Sequence, residues 1–493
     1  MADQTTPAYD MNEYTTKATQ RLAPMGSPNT ADPAKSANGA TLANGILGYE
    51  KLTQNKHTSE LKRFFHNTLV PMFLILTTPN LVIIMWYTAV HCDGSFAQMT
   101  RTFQNRSVYA GLCDIWGLVN TGSFTISMII VGYCVYALAM MKLLPGKQVT
   151  GPLTPKGNTP IYTDNGFLYF LVTVGLFWVG TLLLRPLGLS PSIVYDRFDE
   201  VLSSLNIFSL LFCLFLYFKG LLAPSSTDSG TTGNVLFDYY WGTELYPKVW
   251  GFDLKVFTNC RFGMMVWALL VCVFALKSYE LHGFVDSMFV VAVLQLTYLT
   301  KFFWWESGYM RTIDIMLDRA GYYICWGCLV FVPGMYASVS LYMVKHPVHL
   351  GPFWTLVILS LGLLSIYINY QADAQKQIAR YANGDCVIWG KKAEIIRAKY
   401  QLENGDVKES ILLTSGFWGL ARHFHYLPEL MLAFCWSVPA LFENVMPYSY
   451  FLWLVILLLH RSYRDDEKCR KKYGTFWRDY QQKVPHRIVP YLF

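Results

Sequence analysis

The sequence is dominated by long apolar stretches, which recur from residue 68 almost to the C-terminus. A helix needs roughly 20 apolar residues to span a bilayer, and about ten segments approach that length. Charged residues make up 15% of the chain, whereas soluble domains average about 25%. We therefore predict an all-α, polytopic membrane protein with spans near residues 68–90, 115–144, 166–185, 201–222, 261–277, 284–304, 322–344, 352–371, 429–441 and 447–460.

The last two apolar segments are short, and the turn between them runs from Phe442 to Pro447. We expect them to form a hairpin that does not fully cross the bilayer. Because two segments separate the basic loop 372–428 from the basic tail 460–493, both polar regions must lie on one side. By the positive-inside rule that side, with the C-terminus, is the cytoplasm.

The polarity of the sequence divides the chain into three parts. Residues 1–62 are polar with balanced charge and are predicted to form a disordered tail. This tail has no basic stretch followed by an apolar core, so it is not a cleavable signal peptide. Residues 63–371 hold the first eight apolar segments, and residues 372–493 hold the basic loop, the hairpin and the tail.

Several common functions lack their signatures. The net charge is +7, and the basic residues do not form tracts with exposed aromatics, which argues against nucleic-acid binding. No GxGxxG follows a strand pattern and no GxxxxGK[ST] occurs, so we expect no Rossmann domain. We also expect no metal site, because further ligands at suitable spacing are missing around Cys325/Cys328, His346/His349 and His423/His425.

Segment 284–304 ends in a cluster of polar and aromatic side chains. Ionisable groups next to hydrocarbon are costly and are therefore candidates for function. An aromatic belt with snorkelling charges explains the same pattern equally well. Tyr298 lies deeper in the segment and is either a core aromatic residue or a catalytic phenol. The cluster itself comprises Lys301, Trp304, Trp305, Glu306, Arg311 and Asp314.

A second candidate cluster lies in the tail, where four residues recur at a spacing that places them on one helical stripe. The stripe presents a cation, a carboxylate, a thiol and a phenol to one neighbour, although a solvated helix beside the membrane is an alternative. Gly474 is expected to end this helix. The stripe comprises Arg461, Asp465, Cys469 and Tyr473, with Tyr480 beyond the glycine.

A third candidate is the pair Lys376 and Arg380, just beyond segment 352–371. Their spacing puts two cations on one helical face. Such a pair suits phosphate groups and lipid headgroups equally, so the spacing alone leaves both open.

Several long motifs in the same order resemble the sterol reductase family, which includes sterol Δ14-reductases, sterol Δ7-reductases and the lamin B receptor. The resemblance covers nearly everything after residue 60. Phe424 stands where Δ14-reductases typically have Pro, and NGDCVIWGKK (383–392) also looks like the Δ7 type. The matching motifs are GNVLFDYYWGTELYPKV (233–249), LLTSGFWGLARHFHYLPEL (412–430) and LLLHRSYRDDEKCRKKYGTFWRDY (457–480).

The resemblance implies a ten-helix enzyme of the endoplasmic reticulum membrane. It places a sterol pocket within residues 63–371 and an NADPH pocket, facing the cytoplasm, within residues 372–493. Tyr298 corresponds to the family's proposed proton donor, and we expect Asp465 to act beside it. Expected sterol contacts are Tyr298, Trp304, Glu306 and Asp314. Expected cofactor contacts are Lys376, Arg380, Leu413, Trp418, His425, Tyr426, Arg461, Asp465, Cys469, Arg470, Lys471, Lys472, Tyr473 and Tyr480.

Four residues depart from the family's pattern. His425 and Glu429 replace the usual Asn and Asp, and Tyr246 and Lys248 replace Asn and Arg. A lysine keeps the charge of an arginine but loses its bidentate geometry, while a histidine still offers one hydrogen-bond donor.

The implied reaction is reduction of the Δ7 double bond of Δ5,7-sterols such as 7-dehydrocholesterol. Reduction of such an alkene needs a proton and a hydride, and we hypothesise that Tyr298 gives the proton. An ordinary phenol, with a pKa of about 10, is a weak acid for this step, so neighbouring groups must assist it. The expected partners are a sterol, membrane lipid and other enzymes of sterol biosynthesis. The alternatives are a Δ14-reductase, a non-catalytic sterol-binding or scaffold protein, and a transporter.

Overall fold

The computed structural model describes residues 60–104, 106–154, 156–401, 405 and 407–493. The predicted disordered tail lies almost entirely outside these residues. Within them the chain is mostly helical, in agreement with the predicted fold class. The strands form small antiparallel pairs: β1 (Lys147–Thr150) with β2 (Ile161–Asp164), β3 (Lys248–Val249) with β4 (Phe252–Asp253), β5 (Val387–Ile388) with β6 (Lys391–Lys392), and β7 (Ile395–Gln401) with β8 (Val407–Leu413).

Eight helices in the described part of the chain are long and apolar enough to cross a membrane. Their order follows the predicted segments, and each is apolar around most of its circumference. They are α1 (Lys62–His91), α2 (Phe124–Leu143), α3 (Gly166–Leu187), α4 (Phe198–Leu222), α5 (Leu254–His282), α6 (Asp286–Trp304), α7 (Tyr322–Met343) and α8 (Gly351–Tyr381).

The prediction for segment 115–144 is wrong at its start. A short helix, Val108–Gly117, precedes a turn, and α2 begins only at Phe124. Gly122 adopts a φ of +73°, and the Ser123 hydroxyl then accepts a hydrogen bond from the Ile126 amide. A glycine in a left-handed turn followed by a serine N-cap ends one helix and starts the next.

Helices α5 and α7 form the centre of the bundle, because most of their apolar surface is buried, whereas α1, α2, α3 and α8 expose most of theirs. Both central helices contain a π-helical stretch, Phe257–Met264 in α5 and Gly327–Tyr336 in α7. The two stretches approach closely at Gly263, where an added Cβ would lie 2.9 Å from the Cys328 carbonyl oxygen. A larger side chain would therefore separate the two central helices.

The last apolar segments differ in length. Helix α9 (Tyr426–Ser437) has 12 residues, too few to span a bilayer, as expected for a hairpin that does not fully cross. Helix α10 (Ser449–Tyr473) begins apolar and continues into the charged tail. Gly474, with a φ of +55°, ends it as predicted, and α11 (Thr475–Lys483) follows.

The basic loop and the basic tail contact each other. The β7–β8 hairpin packs against α10 and α11, and Tyr400 lies edge-on to Tyr473 with ring centres 5.7 Å apart. The two polar regions therefore lie at one end of the molecule, as the segment count predicts. The shared apolar cluster comprises Ala398, Leu412, Tyr473, Trp477, Tyr480 and Val484.

Candidate functional site

One cavity of about 3100 Å³ extends from the basic end of the molecule into the apolar helices. Ordinary ligand pockets measure about 300–1,000 Å³, so the cavity has room for more than one molecule. Its two ends differ in chemistry. We call the polar end the cationic region, formed around Lys376, Arg380, Lys468 and Lys472, and the deeper end the aromatic region, formed around Trp267, Tyr298, Tyr336 and Tyr450.

The cationic region brings together side chains from two helices. Lys376 and Arg380 lie on the last turns of α8, and Lys468 and Lys472 lie on α10. Among the described residues none of these four cations forms an ion pair. Lys376 Nζ instead lies 3.9 Å above the Trp418 ring. Unpaired cations that line a cavity form a site for an anion, and phosphate is the anion that such a group suits best.

The wall beside these cations is the turn that precedes α9. His425 packs against Trp418 with ring centres 5.0 Å apart and against Tyr426 at 4.4 Å. Burial, with further lowering by the positive charge of Lys376, lowers the pKa of His425 to about 3, so the imidazole is neutral. Its Nδ1 is buried without a hydrogen-bond partner among the described residues. A polar atom of this kind is costly unless a ligand satisfies it.

The chain's C-terminal segment holds this turn in place. The Arg422 amide donates to the His486 carbonyl at 3.0 Å, and the His423 amide donates to the Arg487 carbonyl at 2.8 Å. The Arg422 guanidinium also donates to the Val484 carbonyl at 2.7 Å. The position of the turn therefore depends on residues that are distant in sequence.

The predicted stripe on α10 faces the cavity. Cys469 Sγ lies 3.8 Å from an Asp465 carboxylate oxygen, and the Tyr480 hydroxyl lies 3.5 Å from the Trp418 carbonyl. Burial, with a further contribution from Asp465, raises the pKa of the Cys469 thiol to about 12, so this cysteine remains protonated. The other predicted cofactor contacts that line the cavity are Leu413, Tyr426, Arg461, Lys472 and Tyr473.

Two of the predicted cofactor residues do not line the cavity. The Arg470 side chain is mostly exposed and approaches Asp466, and Lys471 pairs with Glu467 at 2.6 Å. Both point away from the stripe, because consecutive residues in a helix point about 100° apart.

Tyr298 lies in the aromatic region, where its hydroxyl donates to Glu429 Oε1 at 2.7 Å. Glu429 Oε2 accepts from the side-chain amide of Asn369 at 3.0 Å, and Asn369 Oδ1 accepts from the Lys301 ammonium. The carboxylate that contacts Tyr298 is therefore Glu429. The Tyr298 ring packs against Trp267 and Trp436, each with ring centres 5.8 Å away.

The residues predicted to contact the sterol lie in different surroundings. Trp304 and Asp314 line the cavity, and Asp314 forms an ion pair with Arg461. Glu306 is not part of the cavity lining. It is buried against Arg261, whose second guanidinium nitrogen lies 2.9 Å from Glu306 Oε2. This carboxylate is a structural ion-pair partner between α5 and the segment after α6.

The earlier motif 233–249 contributes mainly to the support of the fold. Tyr240 lines the cavity, whereas Tyr246 is buried beside the Lys255 ammonium, which lies 5.4 Å from its ring centre. Lys248 is exposed on β3. The departures from the family's pattern at Tyr246 and Lys248 therefore lie outside the cavity.

Sequence reasoning missed three functional candidates. Glu429 was recognised only as a departure from a motif, Asn369 lies within an apolar helix, and Lys468 lies between the residues of the predicted stripe. An asparagine in a membrane span is costly unless it is paired, and this is the signal that points to Asn369. In the described residues there is no group of three or more His, Cys, Asp or Glu arranged to hold a metal.

The fold and cavity together define a polytopic membrane protein in which a group of unpaired cations and a group of aromatic side chains line one continuous space. Residues 65–493 match the ergosterol biosynthesis ERG4/ERG24 family, and the chain belongs to this family of sterol reductases.

Several relatives bear the name 7-dehydrocholesterol reductase. The protein from Arabidopsis thaliana is 49% identical over 426 residues, which are 85% of this chain and 96% of the relative. The protein from Xenopus laevis is 34% identical over 440 residues, which are 86% of this chain and 91% of the relative. A Delta(14)-sterol reductase from Methylotuvimicrobium alcaliphilum is also 34% identical over 425 residues, which are 86% of this chain and 94% of the relative.

Proposed function

We propose that this chain is an NADPH-dependent sterol Δ7-reductase that acts on Δ5,7-sterols such as 7-dehydrocholesterol. The observation that carries the proposal is that an unpaired cationic region and a buried, hydrogen-bonded phenol line the same cavity. The relatives support the choice of substrate, since the Arabidopsis protein of that name is 49% identical.

The residues of the cationic region fit a phosphorylated dinucleotide. Lys376, Arg380, Lys468 and Lys472 offer more positive charge than one pyrophosphate requires, which favours a cofactor with an additional phosphate. Trp418 offers an apolar face. The unpartnered His425 Nδ1 offers a buried polar atom that would pair with a carboxamide or ribose. Asp465, on the same wall, would help to orient the cofactor.

Sterol access is supported by the way the cavity reaches the outside of the bundle. Its lining includes Phe73 and Leu76 of α1, whose side chains are exposed on a helix that buries little of its apolar surface. An apolar molecule would pass from lipid into the cavity at this point without crossing a polar barrier.

The chemistry follows from the electronic character of the alkene. When bound, the reduced nicotinamide supplies a hydride. A double bond without an electron-withdrawing substituent does not accept hydride directly, so Tyr298 first donates its proton to one alkene carbon, and positive charge develops on the other. The faces of Trp267 and Tyr450 border this space and stabilise the charge through their ring quadrupoles.

The proposal includes the setting of the enzyme. The basic end of the molecule would face the cytoplasm, where the soluble cofactor is available, and the apolar helices would lie in the endoplasmic reticulum membrane. The excess of Lys and Arg in the loop and tail supports this orientation. The sterol would arrive from the bilayer, and association with other sterol-biosynthesis enzymes would shorten its path.

The decisive experiment supplies purified protein in nanodiscs with NADPH and, in parallel, a Δ5,7-diene and a Δ8,14-diene sterol. We expect loss of the conjugated 5,7-diene absorbance and formation of a Δ5-sterol. Reduction of the Δ8,14-diene alone would favour the activity named for the bacterial relative, and sterol binding without reduction would favour a scaffold role. Tyr298→Phe is expected to abolish turnover, while Tyr279→Phe, at an exposed tyrosine, should leave it unchanged.

A further inference from the structure

The direct hydrogen-bond partner of Tyr298 is the carboxyl group of Glu429, which has no role in the reaction steps described above. Glu429 lies in the first turn of α9 and lines the cavity together with Tyr298. Their oxygen atoms are 2.7 Å apart, which is the length of an ordinary O–H···O hydrogen bond. A proton can therefore pass between the two groups without any movement of the chain.

The groups around Glu429 hold it in this position. Its second oxygen accepts from Asn369 of α8 at 3.0 Å, and Asn369 also donates to the His425 carbonyl at 2.9 Å. The charged or titratable groups that act on the carboxyl are Tyr298 and Lys301 on α6, Asp373 on α8 and Arg461 on α10. Among the described residues no cation forms an ion pair with this carboxyl, and Lys301 is connected to it through Asn369.

This arrangement creates an electrostatic difficulty if Tyr298 acts alone. Once Tyr298 has given its proton to an alkene, a phenolate would face a carboxylate across the same 2.7 Å. Two like charges so close in a poorly solvated site are strongly unfavourable. The difficulty disappears if Glu429 is protonated when the reaction begins and donates to the Tyr298 oxygen in this hydrogen bond, which leaves the Tyr298 proton free for the alkene.

We propose that Glu429 is the proton carrier that restores Tyr298 during turnover. The proposal rests on the proposed reductase function. In the first step the Tyr298 O–H bond breaks, and the alkene's π electrons form a C–H bond with that proton. The Glu429 O–H bond then breaks, and its proton joins the Tyr298 oxygen, which leaves a neutral tyrosine and a carboxylate. A bound reduced nicotinamide would supply the hydride that closes the carbocation, and solvent would return a proton to Glu429.

The proposal predicts a specific dependence on pH. Because Glu429 must be protonated, kcat should fall as pH rises through the titration of this carboxyl group. Glu429→Gln removes that group, so its residual kcat should not change over the same range. Both profiles are measured at saturating cofactor and sterol, so that titration of residues in the cationic region does not contribute. A role in packing alone would not alter the shape of the profile.

The test compares Glu429→Gln with wild type and with Glu443→Gln, which changes an exposed carboxylate between α9 and α10. We expect Glu429→Gln to lower kcat roughly 10²-fold or more, the usual range for loss of a general acid. Binding of NADPH, followed by tryptophan fluorescence, should be unchanged. Glu429→Asp retains a carboxylic acid, so it should keep part of the activity, and its kcat should still fall as pH rises. Glu443→Gln should behave as wild type.

The outcomes separate this proposal from the proposed function. If wild type reduces the Δ7 bond and Tyr298→Phe does not, but Glu429→Gln keeps the wild-type kcat and pH profile, the proton carrier is wrong and the reductase function stands. If wild type reduces no sterol, the proposed function itself fails. Should Glu429→Gln not fold, the pH profile of the wild-type protein is the test. A wild-type kcat that does not fall as pH rises would overturn the proposal.

Discussion

The ammonium of Lys376 lies 3.9 Å above the ring of Trp418. The indole is itself fixed, because its Nε1 donates to the Ala372 carbonyl at 2.7 Å, one helical turn before the lysine. A cation held by an aromatic ring and not by a carboxylate has no paired anion that would compete with an incoming one. This contact also joins the end of α8 to the turn before α9. Lys376 therefore contributes to the shape of the cationic region as well as to its charge.

Removal of this cation should weaken cofactor binding. Charge-assisted hydrogen bonds contribute about 1.5–3 kcal/mol, so Lys376→Ala should raise the Kd for NADPH roughly 10- to 100-fold. The measurement is tryptophan fluorescence titration in nanodiscs at two salt concentrations. The matched control is Lys483→Ala, at an exposed lysine of α11 that does not line the cavity. If Lys376→Ala weakens only sterol binding, the phosphate role is wrong.

The affinity for NADPH should also depend on pH through Lys472. Burial, reinforced by the nearby charge of Lys468, lowers the pKa of Lys472 to about 8. The ammonium is therefore charged below that pH and neutral above it, so affinity for the phosphates should fall as pH rises through about 8. The other groups acting on it are Cys469, Arg380 and Asp465. Bound phosphate favours the charged form, so binding above this pH should take up a proton.

The test of this dependence is Lys472→Arg. An arginine stays charged at every accessible pH, so this variant should show a smaller decrease in affinity on the alkaline side than wild type. Lys471→Arg changes a lysine outside the cavity and should keep the wild-type decrease. An unchanged pH dependence in Lys472→Arg would show that another group is responsible.

Glu306 should matter for stability and not for recognition of the sterol. Its side chain and that of Arg261 are 2% and 1% exposed, and loss of one partner from a buried ion pair costs about 3–5 kcal/mol. Glu306→Gln should therefore lower the Tm of the detergent-solubilised protein. Activity per folded molecule and KM for the sterol should be close to wild type. A rise in the KM for the sterol at unchanged Tm would instead support the prediction that Glu306 contacts the sterol.

The sequence predicted elements with a local signal and failed where a contact joins distant segments. Apolar length located the eight spans, and a spacing of four residues located the stripe from Arg461 to Tyr473, because both patterns lie within one helix. Hydropathy does not predict the turn before Phe124, because Gly122 and Ser123 lie between two apolar stretches and interrupt them too briefly to lower the mean hydropathy.

The arrangement of the site shows the same limit. Nothing in the sequence near Tyr298 indicates that its carboxylate partner is 131 residues away. Glu306 looked like a cavity residue because it follows two tryptophans, yet its partner Arg261 lies in another helix. For the individual site residues, the family resemblance supplied candidates that no spacing would have given, including Leu413 and Trp418, and both line the cavity.

Asp466 should prove to be the residue that holds the C-terminal segment against the cavity wall. Its carboxylate accepts from Trp477 Nε1 at 3.1 Å and from Gln481 Nε2 at 3.0 Å, and Arg487 lies 3.6 Å away. Loss of hydrogen bonds to a charged group costs roughly 1.5–3 kcal/mol, so Asp466→Asn should lower Tm and expose the tail to limited proteolysis. Asp479→Asn, at an exposed position on α11, is the control.

His425 stands where the family usually has Asn, and the structure predicts that the two residues are interchangeable for cofactor binding. With its pKa lowered to about 3 by burial, the imidazole stays neutral and offers one donor and one acceptor, as an asparagine amide does in part. Its Nδ1 is buried and unpartnered. His425→Asn should therefore keep the affinity for NADPH.

His425→Leu removes the polar atoms and should weaken binding roughly 2- to 10-fold, the equivalent of about 0.5–1.5 kcal/mol for one neutral hydrogen bond. Fluorescence titration of the three proteins at constant pH measures the difference. Because the imidazole is neutral throughout, the ratio of affinities should not change between mildly acidic and neutral pH. If the leucine variant binds as tightly as wild type, His425 serves only to pack against Trp418, whose ring centre is 5.0 Å away.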